Sequence, residues 1–296
     1  MMKYYQPNQM NSHLGPAHLI IIIMLIPFLF SCARHSDIAL PPIEPEEQGV
    51  YQPGKFVWFE LLTEDGDAAR QFYSELFGWT FSDSALHKGY DTIVNNDKTI
   101  AGMLNISGSD PATQESRWIC SISVDDVDNA AKELKSLGGT VLYGPADSGK
   151  RGRLAQVADS QGADFILLRT MEGDPGKVKL APGNPVWADL FTRDKKASET
   201  FYTNLFGYKV TKSEEDADHY IFKNGDKLRA GLTPVQWDDL EATWLLFIGV
   251  ENLRREILKA MSLGATLIVH NETAAVILDP SGAAIGLHLL PEGGQK

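Results

Sequence analysis

The chain has 296 residues, 43% of them apolar and 22% charged, a balance that excludes a disordered protein and is enough for two packed domains. Its net charge of -12 comes without any cluster of Lys and Arg, so there is no electrostatic basis for gripping a phosphate backbone. Nucleic acid is not an expected partner.

Leu19 to Phe30 reads LIIIIMLIPFLF, an apolar run shorter than the about 20 residues that cross a bilayer and suited to the core of an export signal. It ends in Leu29-Phe30-Ser31-Cys32, which resembles the lipobox of bacterial lipoproteins, where cleavage precedes the cysteine and lipid is attached to it. Residues 1–31 are therefore expected to be a signal peptide and Cys32 a lipidation site, with an uncleaved anchor as the alternative. The expected location is the bacterial cell envelope, with the folded part outside the cytoplasm and tied to the membrane at Cys32. Residues 32–53 carry Pro41, Pro42, Pro45 and Pro53 and read as an extended tether.

Beyond the tether the sequence repeats itself. FVWFELLTEDGDAARQFYSELFGW from Phe56 matches PVWADLFTRDKKASETFYTNLFGY from Pro185 at an offset of 129. The offset falls to 126 at Trp118 and Trp244, then to 120 at Asp159-Ser-Gln-Gly-Ala and Asp279-Pro-Ser-Gly-Ala. The larger deletion in the second copy falls at the Gly/Lys-rich stretch around Ser148 to Arg153, which is expected to be a loop. This divides the chain into a first domain at 54–170, a linker at 171–183, a second domain at 184–290 and a tail at 291–296.

Within each copy the apolar period switches between two and 3.6. In the first, Val57, Phe59 and Leu61 alternate along a strand, and Asp67 to Phe77 places Ala68, Phe72 and Leu76 on one helix face. Asp65 is the expected N-cap and Gly78 the stop. Strands follow near Thr80, over Tyr90 to Val94 and over Thr99 to Ile106. The order then recurs: a strand over Trp118 to Val124, a helix with Val127, Ala131, Leu134 and Leu137 on one face, and strands near Thr140, over Arg153 to Val157 and over Asp164 to Leu168. Each copy is thus βαβββ twice.

Four such modules, with the first strand leading to an Asp and FY seven residues after it, LFG closing the helix, V-D-D-V before the second helix, and Asp-x-x-Gly-Ala before the last strand, resemble the vicinal oxygen chelate superfamily of glyoxalase-like lyases, extradiol dioxygenases and bleomycin-resistance proteins. The resemblance implies an α+β fold of tandem glyoxalase-like domains, each pair of modules forming a curved mixed sheet around a pocket. It also implies a divalent metal on the concave face, held by residues of the first, fifth and last strands. Carried over one by one, those positions are Trp58, Ile119 and Ile166 in the first copy and Trp187, Leu245 and Gly286 in the second. None of these side chains supplies the imidazole or carboxylate donors such a cation needs. No cofactor is expected, a divalent metal on noncanonical ligands being the alternative.

Strand alternation places Trp58, Glu60 and Leu62 on one concave face and Trp187, Asp189 and Phe191 on the other. A tryptophan followed two residues later by an acid suggests an aromatic floor with a polar anchor for a small organic ligand. The bland alternative is that the two tryptophans fill cavities left by lost ligands. Asp164 joins the first set, where it would form a carboxylate pair with Glu60, and His288 joins the second, where it and Asp189 are acid/base candidates. Trp118 and Trp244 point the other way and read as packing, as does Cys120. GPADSGK at Gly144 to Lys150 imitates a phosphate loop, but Arg151 stands where Ser or Thr should be and a strand follows. Three readings result: a lipid-anchored small-molecule binder or metal-independent enzyme, a metal-dependent lyase or dioxygenase, and a scaffold for protein contact.

Overall fold

The computed structural model describes residues 39–84, 86–107, 115–214, 218–236 and 241–291. The signal segment and Cys32 lie outside the described residues, as do the last five residues of the tail. The first half runs β1 (Phe56–Thr63), α1 (Gly66–Phe77), β2 (Thr80–Asp83), β3 (Tyr90–Asn95), β4 (Lys98–Asn105), β5 (Arg117–Ser123), α2 (Val127–Ser136), β6 (Thr140–Asp147), β7 (Gly152–Ala158) and β8 (Asp164–Thr170). The second repeats that order as β9 (Pro185–Thr192), α3 (Lys195–Phe206), β10 (Lys209–Lys212), β11 (Tyr220–Asn224), β12 (Lys227–Pro234), β13 (Thr243–Val250), α4 (Leu253–Ser262), β14 (Thr266–His270), β15 (Ala274–Leu278) and β16 (Ala284–Leu289).

Each half is one eight-stranded mixed sheet, ordered β2-β3-β4-β1-β5-β8-β7-β6 and β10-β11-β12-β9-β13-β16-β15-β14. The two βαβββ modules of a half join where their first strands pair antiparallel, β1 with β5 and β9 with β13. Helix α1 begins at the Asp65 cap, whose side chain accepts from Ala68 N, and stops at Gly78 in the left-handed region. Its buried face is Ala69, Phe72, Tyr73 and Leu76, rotated from the expected Ala68 stripe because the second half also covers this helix.

One apolar core lies between the two sheets and takes residues from both, including Phe59, Leu61, Trp118, Leu190 and Trp244. A reciprocal pair of polar clasps crosses it. Tyr73 Oη donates to Asp279 Oδ2 of the second half (2.9 Å) and accepts from Trp118 Nε1 (2.9 Å). Tyr202 Oη donates to Asp159 Oδ2 of the first half (3.1 Å) and accepts from Trp244 Nε1 (2.8 Å). Each aspartate also caps its own turn, taking Gln161 N and Ala163 N in one half and Ser281 N and Ala283 N in the other. The repeated FY and Asp-x-x-Gly-Ala motifs are thus the two ends of one interdomain contact. Burial pushes both tyrosine hydroxyls well above their ordinary pKa, so they remain donors at any physiological pH.

With the inner faces joined, the opposite face of each sheet is left for function. The described part of the tether does not run free of the domains. Leu40 and Ile43 are buried against the first sheet, and Glu46 N and Gly49 N bond to the carbonyls of Asp174 and Glu172 in the linker. Asp174, itself buried, takes Gln52 N, Ser123 Oγ and Thr170 Oγ1, so tether, first half and linker are sewn together.

Candidate functional site

The outer faces of the two halves start from equivalent residues and end in different states. In the first, Trp58 and Glu60 are both buried, on 5% and 6% exposure, and pack with Tyr90, Ile119, Leu154, Ile166 and Leu168. Arg151 fills the centre. Its Nη1 donates to Glu60 Oε1 (2.9 Å), its Nη2 to Tyr90 Oη (2.7 Å) and its Nε to the Pro41 carbonyl (2.8 Å), while its guanidinium lies over the Trp58 ring at 4.9 Å. Tyr90 Oη in turn donates to Glu60 Oε1 (3.0 Å). Burial opposes the charge on Arg151, but Glu60 and Tyr90 outweigh it and raise the Arg151 pKa, so the guanidinium is a fixed cation in this face.

Leu40 and Ile43 close this face from outside. Burying the two side chains contributes about 3–6 kcal/mol, and the bonds to Pro41 O and from Leu40 N to Ser148 O (3.3 Å) add about 1–4 kcal/mol. Ordering five backbone residues costs about 5–10 kcal/mol, less where Pro41 and Pro42 have already restricted the chain. Gain and cost lie within a few kcal/mol of each other, so the segment is docked marginally.

The carboxylate pair expected between Glu60 and Asp164 is not formed. Asp164 is held by Arg117 Nε (3.1 Å) and Gln156 Nε2 (3.3 Å) at the partly exposed end of the face, while Glu60 belongs to Arg151. Each acid is paired with its own arginine. Leu62, half-exposed, packs at the margin of the same cluster.

In the second half the insertion that carries Arg151 has no counterpart. Phe191, Leu245 and Phe247 form a small apolar cluster with Val186, Trp187, Val235, Ala274, Val276 and Ala284 around it, and Trp187 remains partly exposed. Asp189 is buried at its base. His219 Nε2 donates to Asp189 Oδ2 (2.8 Å) and Thr233 Oγ1 to Asp189 Oδ1 (3.1 Å). Burial raises the Asp189 pKa, and the bond and charge of His219 with the field of His288 pull it back only in part. His219 is therefore aligned by a desolvated carboxylate, an arrangement that can accept or deliver a proton at a bound ligand.

The second-half positions that the resemblance implies as metal ligands, Trp187, Leu245 and Gly286, carry no imidazole or carboxylate. Trp187 pairs with Phe247, and Phe247 with Gly286, across the sheet. A Cβ at Gly286 would lie only 2.5 Å from Phe247 Cγ, so the space that a last-strand ligand would need is filled by that ring. Among the described residues no group of three His, Cys, Asp or Glu side chains is placed to hold a metal ion.

Of the residues expected on the two faces, the structure thus brings together Trp58 with Glu60, and Trp187, Asp189 and Phe191 with His288 within electrostatic reach. Tyr90, Arg151, His219 and Thr233 were not among the expected site residues. Tyr90 and His219 were detectable, since they fall at the same offset of 129 as the two tryptophans. Trp118, Trp244 and Cys120 lie in the shared core, and burial pushes the Cys120 thiol far above its ordinary pKa.

Comparison with known proteins agrees with this architecture. The sequence pattern of the Glyoxalase/Bleomycin resistance protein/Dioxygenase superfamily matches residues 55–167, and that of a glyoxalase-like domain matches residues 186–288. The anthracycline biosynthesis protein DnrV of Streptomyces peucetius is 28% identical over 266 residues, covering 82% of this chain and 96% of that protein. Among solved structures, the Mn(II)-bound glyoxalase from Novosphingobium aromaticivorans superimposes with a TM-score of 0.54 at 13% identity, over 83% of this chain and 87% of that one. The 2,2',3-trihydroxybiphenyl 1,2-dioxygenase of Sphingomonas wittichii gives 0.53 at 12% identity, over 82% and 92%. At such identities the structural likeness is one of fold. With both halves matched, the chain belongs to the Glyoxalase/Bleomycin resistance protein/Dioxygenase superfamily.

Proposed function

We propose that this is an exported, lipid-anchored member of the superfamily that binds a small aromatic ligand on the outer face of its second half and uses no metal held at the family's positions. The observation that carries the reading is the Asp189–His219 pair at 2.8 Å, on the sheet face that also carries Trp187, Phe191 and Phe247 and that Arg151 fills in the first half. The partly exposed Trp187 offers stacking surface, worth about 0.5–1.5 kcal/mol beyond area burial for an aromatic partner. Asp189 selects a ligand with a hydrogen-bond donor or positive charge, and His219 is the group placed to exchange a proton with it. The relative DnrV is named an anthracycline biosynthesis protein, and anthracyclines carry planar aromatic rings of the kind Trp187 would stack on. Metal-dependent lyase or dioxygenase chemistry, the second reading, would need a donor set, and among the described residues no three His, Cys, Asp or Glu side chains are grouped to supply one; the scaffold reading gives the Asp189–His219 pair no use.

The test is calorimetric titration of the purified chain with a planar hydroxylated probe, 1,2-dihydroxyanthraquinone. Binding to one site per chain is expected, weakened about tenfold by Asp189→Asn, in line with about 1.5 kcal/mol for a bond to a charged acceptor. Trp187→Ala should weaken it by a similar factor, and Trp58→Phe should have no effect on affinity. Prior treatment with a chelator should change nothing. Stoichiometric metal in the purified protein, with binding lost on chelation and restored by metal, would instead establish the metalloprotein.

A further inference from the structure

The first half's outer face is more than a degenerate copy of the second. It carries two things the second half lacks, the Ser148–Arg153 insertion and a segment of tether lying on it, and these meet: Leu40 bridges to Gly149, and Arg151 Nε donates to the Pro41 carbonyl (2.8 Å). The docked sequence is Ala39-Leu-Pro-Pro-Ile43, two apolar side chains three residues apart with prolines between them. Leu40 and Ile43 are the buried pair, at 7% and 4% exposure, while Pro42 is exposed. This is how aromatic-lined grooves read extended proline-containing peptides, by apolar anchors one polyproline II turn apart plus a donor to a backbone carbonyl.

The groove is prepared for that carbonyl. Glu60 and Tyr90 hold the Arg151 guanidinium by its other two nitrogens, leaving Nε aimed at the peptide. The fit is incomplete, because the Trp58 indole N–H is buried beneath the segment with no hydrogen-bond partner. An incompletely satisfied, marginally docked contact can exchange between bound and released states.

We propose that the outer face of the first half is a peptide groove whose occupant is the chain's own Ala39–Ile43 segment, a reversible latch that sets how far the folded halves stand from the N-terminal attachment. Docked, the segment leaves the seven residues Ala33–Ala39 to span from Cys32, at most about 25 Å. Released as far as Pro45, the next residues being held by the linker, the span rises to about 45 Å. This change of reach rests on Cys32 being the lipidated residue, whereas the latch itself does not.

The test uses the full-length chain in detergent and a glutamate-specific protease, which must pull Ile43 out of the groove to cut after Glu44. Wild type should be cut at least tenfold more slowly than Leu40→Asp/Ile43→Asp. A fluorescent peptide spanning Ile38 to Glu44, added in trans, should bind the double variant, whose groove is vacant, and not wild type. The same peptide with both anchors changed to Asp should bind neither. Gly149→Ala is the milder variant: its Cβ would press on Ala39 at 3.2 Å and its φ of +58° strains the insertion beneath the segment, so the segment should be released in part while every groove side chain is kept. Equal cleavage of wild type and Gly149→Ala, or failure of a folded double variant to bind the peptide, would overturn the latch. If the double variant does not fold, the Gly149→Ala cleavage rate decides. Membrane attachment that persists in Cys32→Ser with cleavage protection retained would overturn the anchor and leave the latch standing, whereas attachment lost with protection retained supports both.

Discussion

Tyr90 and His219 stand at equivalent positions of the two halves, and each bonds the strand carboxylate of its own half, Tyr90 to Glu60 at 3.0 Å and His219 to Asp189 at 2.8 Å. A glycine makes room for each pair, Gly102 pairing with Glu60 across the sheet and Gly231 with Asp189. The duplication therefore preserved a carboxylate with a polar partner on a bare stretch of sheet. What differs is that Arg151 converts the first pair into a buried ion pair, while the second stays beside a partly exposed tryptophan.

Gly231→Ala tests the second pair without removing any of its groups. Its Cβ would lie 2.5 Å from both Asp189 Oδ2 and His219 Nε2, so the two must separate or shift. Affinity for the anthraquinone probe should fall at least tenfold, with the first half's cleavage protection at Glu44 unchanged. Unaltered affinity would show that the pair does not contact the ligand.

The pH dependence follows from Asp189. Burial holds its pKa above the ordinary 3.8, so on acidification the folded protein takes up this proton before the unfolded chain does. The group consequently detracts from stability as pH rises through the window from 3.8 to its raised value, and Asp189→Asn should flatten that part of the stability profile. Binding of a donor-bearing ligand should run oppositely, weakening as pH falls through the raised value. Urea midpoints and probe affinities between pH 4 and 7 would measure both slopes.

Arg151→Met leaves Glu60 buried beside Tyr90 without its cation. Removing one partner of such a pair costs about 3–5 kcal/mol, and the loss should be smaller in Arg151→Met/Glu60→Gln, where no charge is stranded. Equilibrium unfolding of the two variants would show the difference, and equal stabilities would mean that solvent reaches Glu60.

Tyr73→Phe and Tyr202→Phe each leave a tryptophan N–H and an aspartate oxygen of the interdomain clasp unpaired. A loss of about 1–3 kcal/mol is expected from each. Because the two clasps share no hydrogen-bond partner, the double variant should show the sum within about 0.5 kcal/mol. A far larger loss in the double variant would indicate that the clasps are cooperatively coupled through the common core.

Cys32→Ser should abolish metabolic fatty-acid labelling and release the protein from the membrane fraction. Labelling that persists unchanged in the variant would place the attachment elsewhere.

Much of this was legible from local signals. Asp65 and Gly78 marked the ends of α1 because capping is decided within one helical turn, and strand alternation placed Trp58 with Glu60 and Trp187 with Asp189 because side chains two apart share a face. The Ala68 stripe was misplaced because a helix covered by a second domain buries a wider face than one sheet demands. Arg151 was noticed only as the residue that spoils a phosphate loop, and nothing in its neighbours indicates that it reaches Glu60 and Tyr90, 91 and 61 residues away.

The duplication and the family fold are properties of residue identity and spacing, and the sequence by itself determined them. Tertiary structure decided which face remains available. Two long-range events settled that: an inserted arginine turned inward to neutralise a buried carboxylate, and a tether segment with two apolar side chains lay down over it. Both depend on contacts between residues far apart in the chain, whose energies rest on burial and desolvation that no local pattern encodes. The repeated tyrosines and aspartates show the same limit, since the motif was visible in each copy but its partner lay in the other.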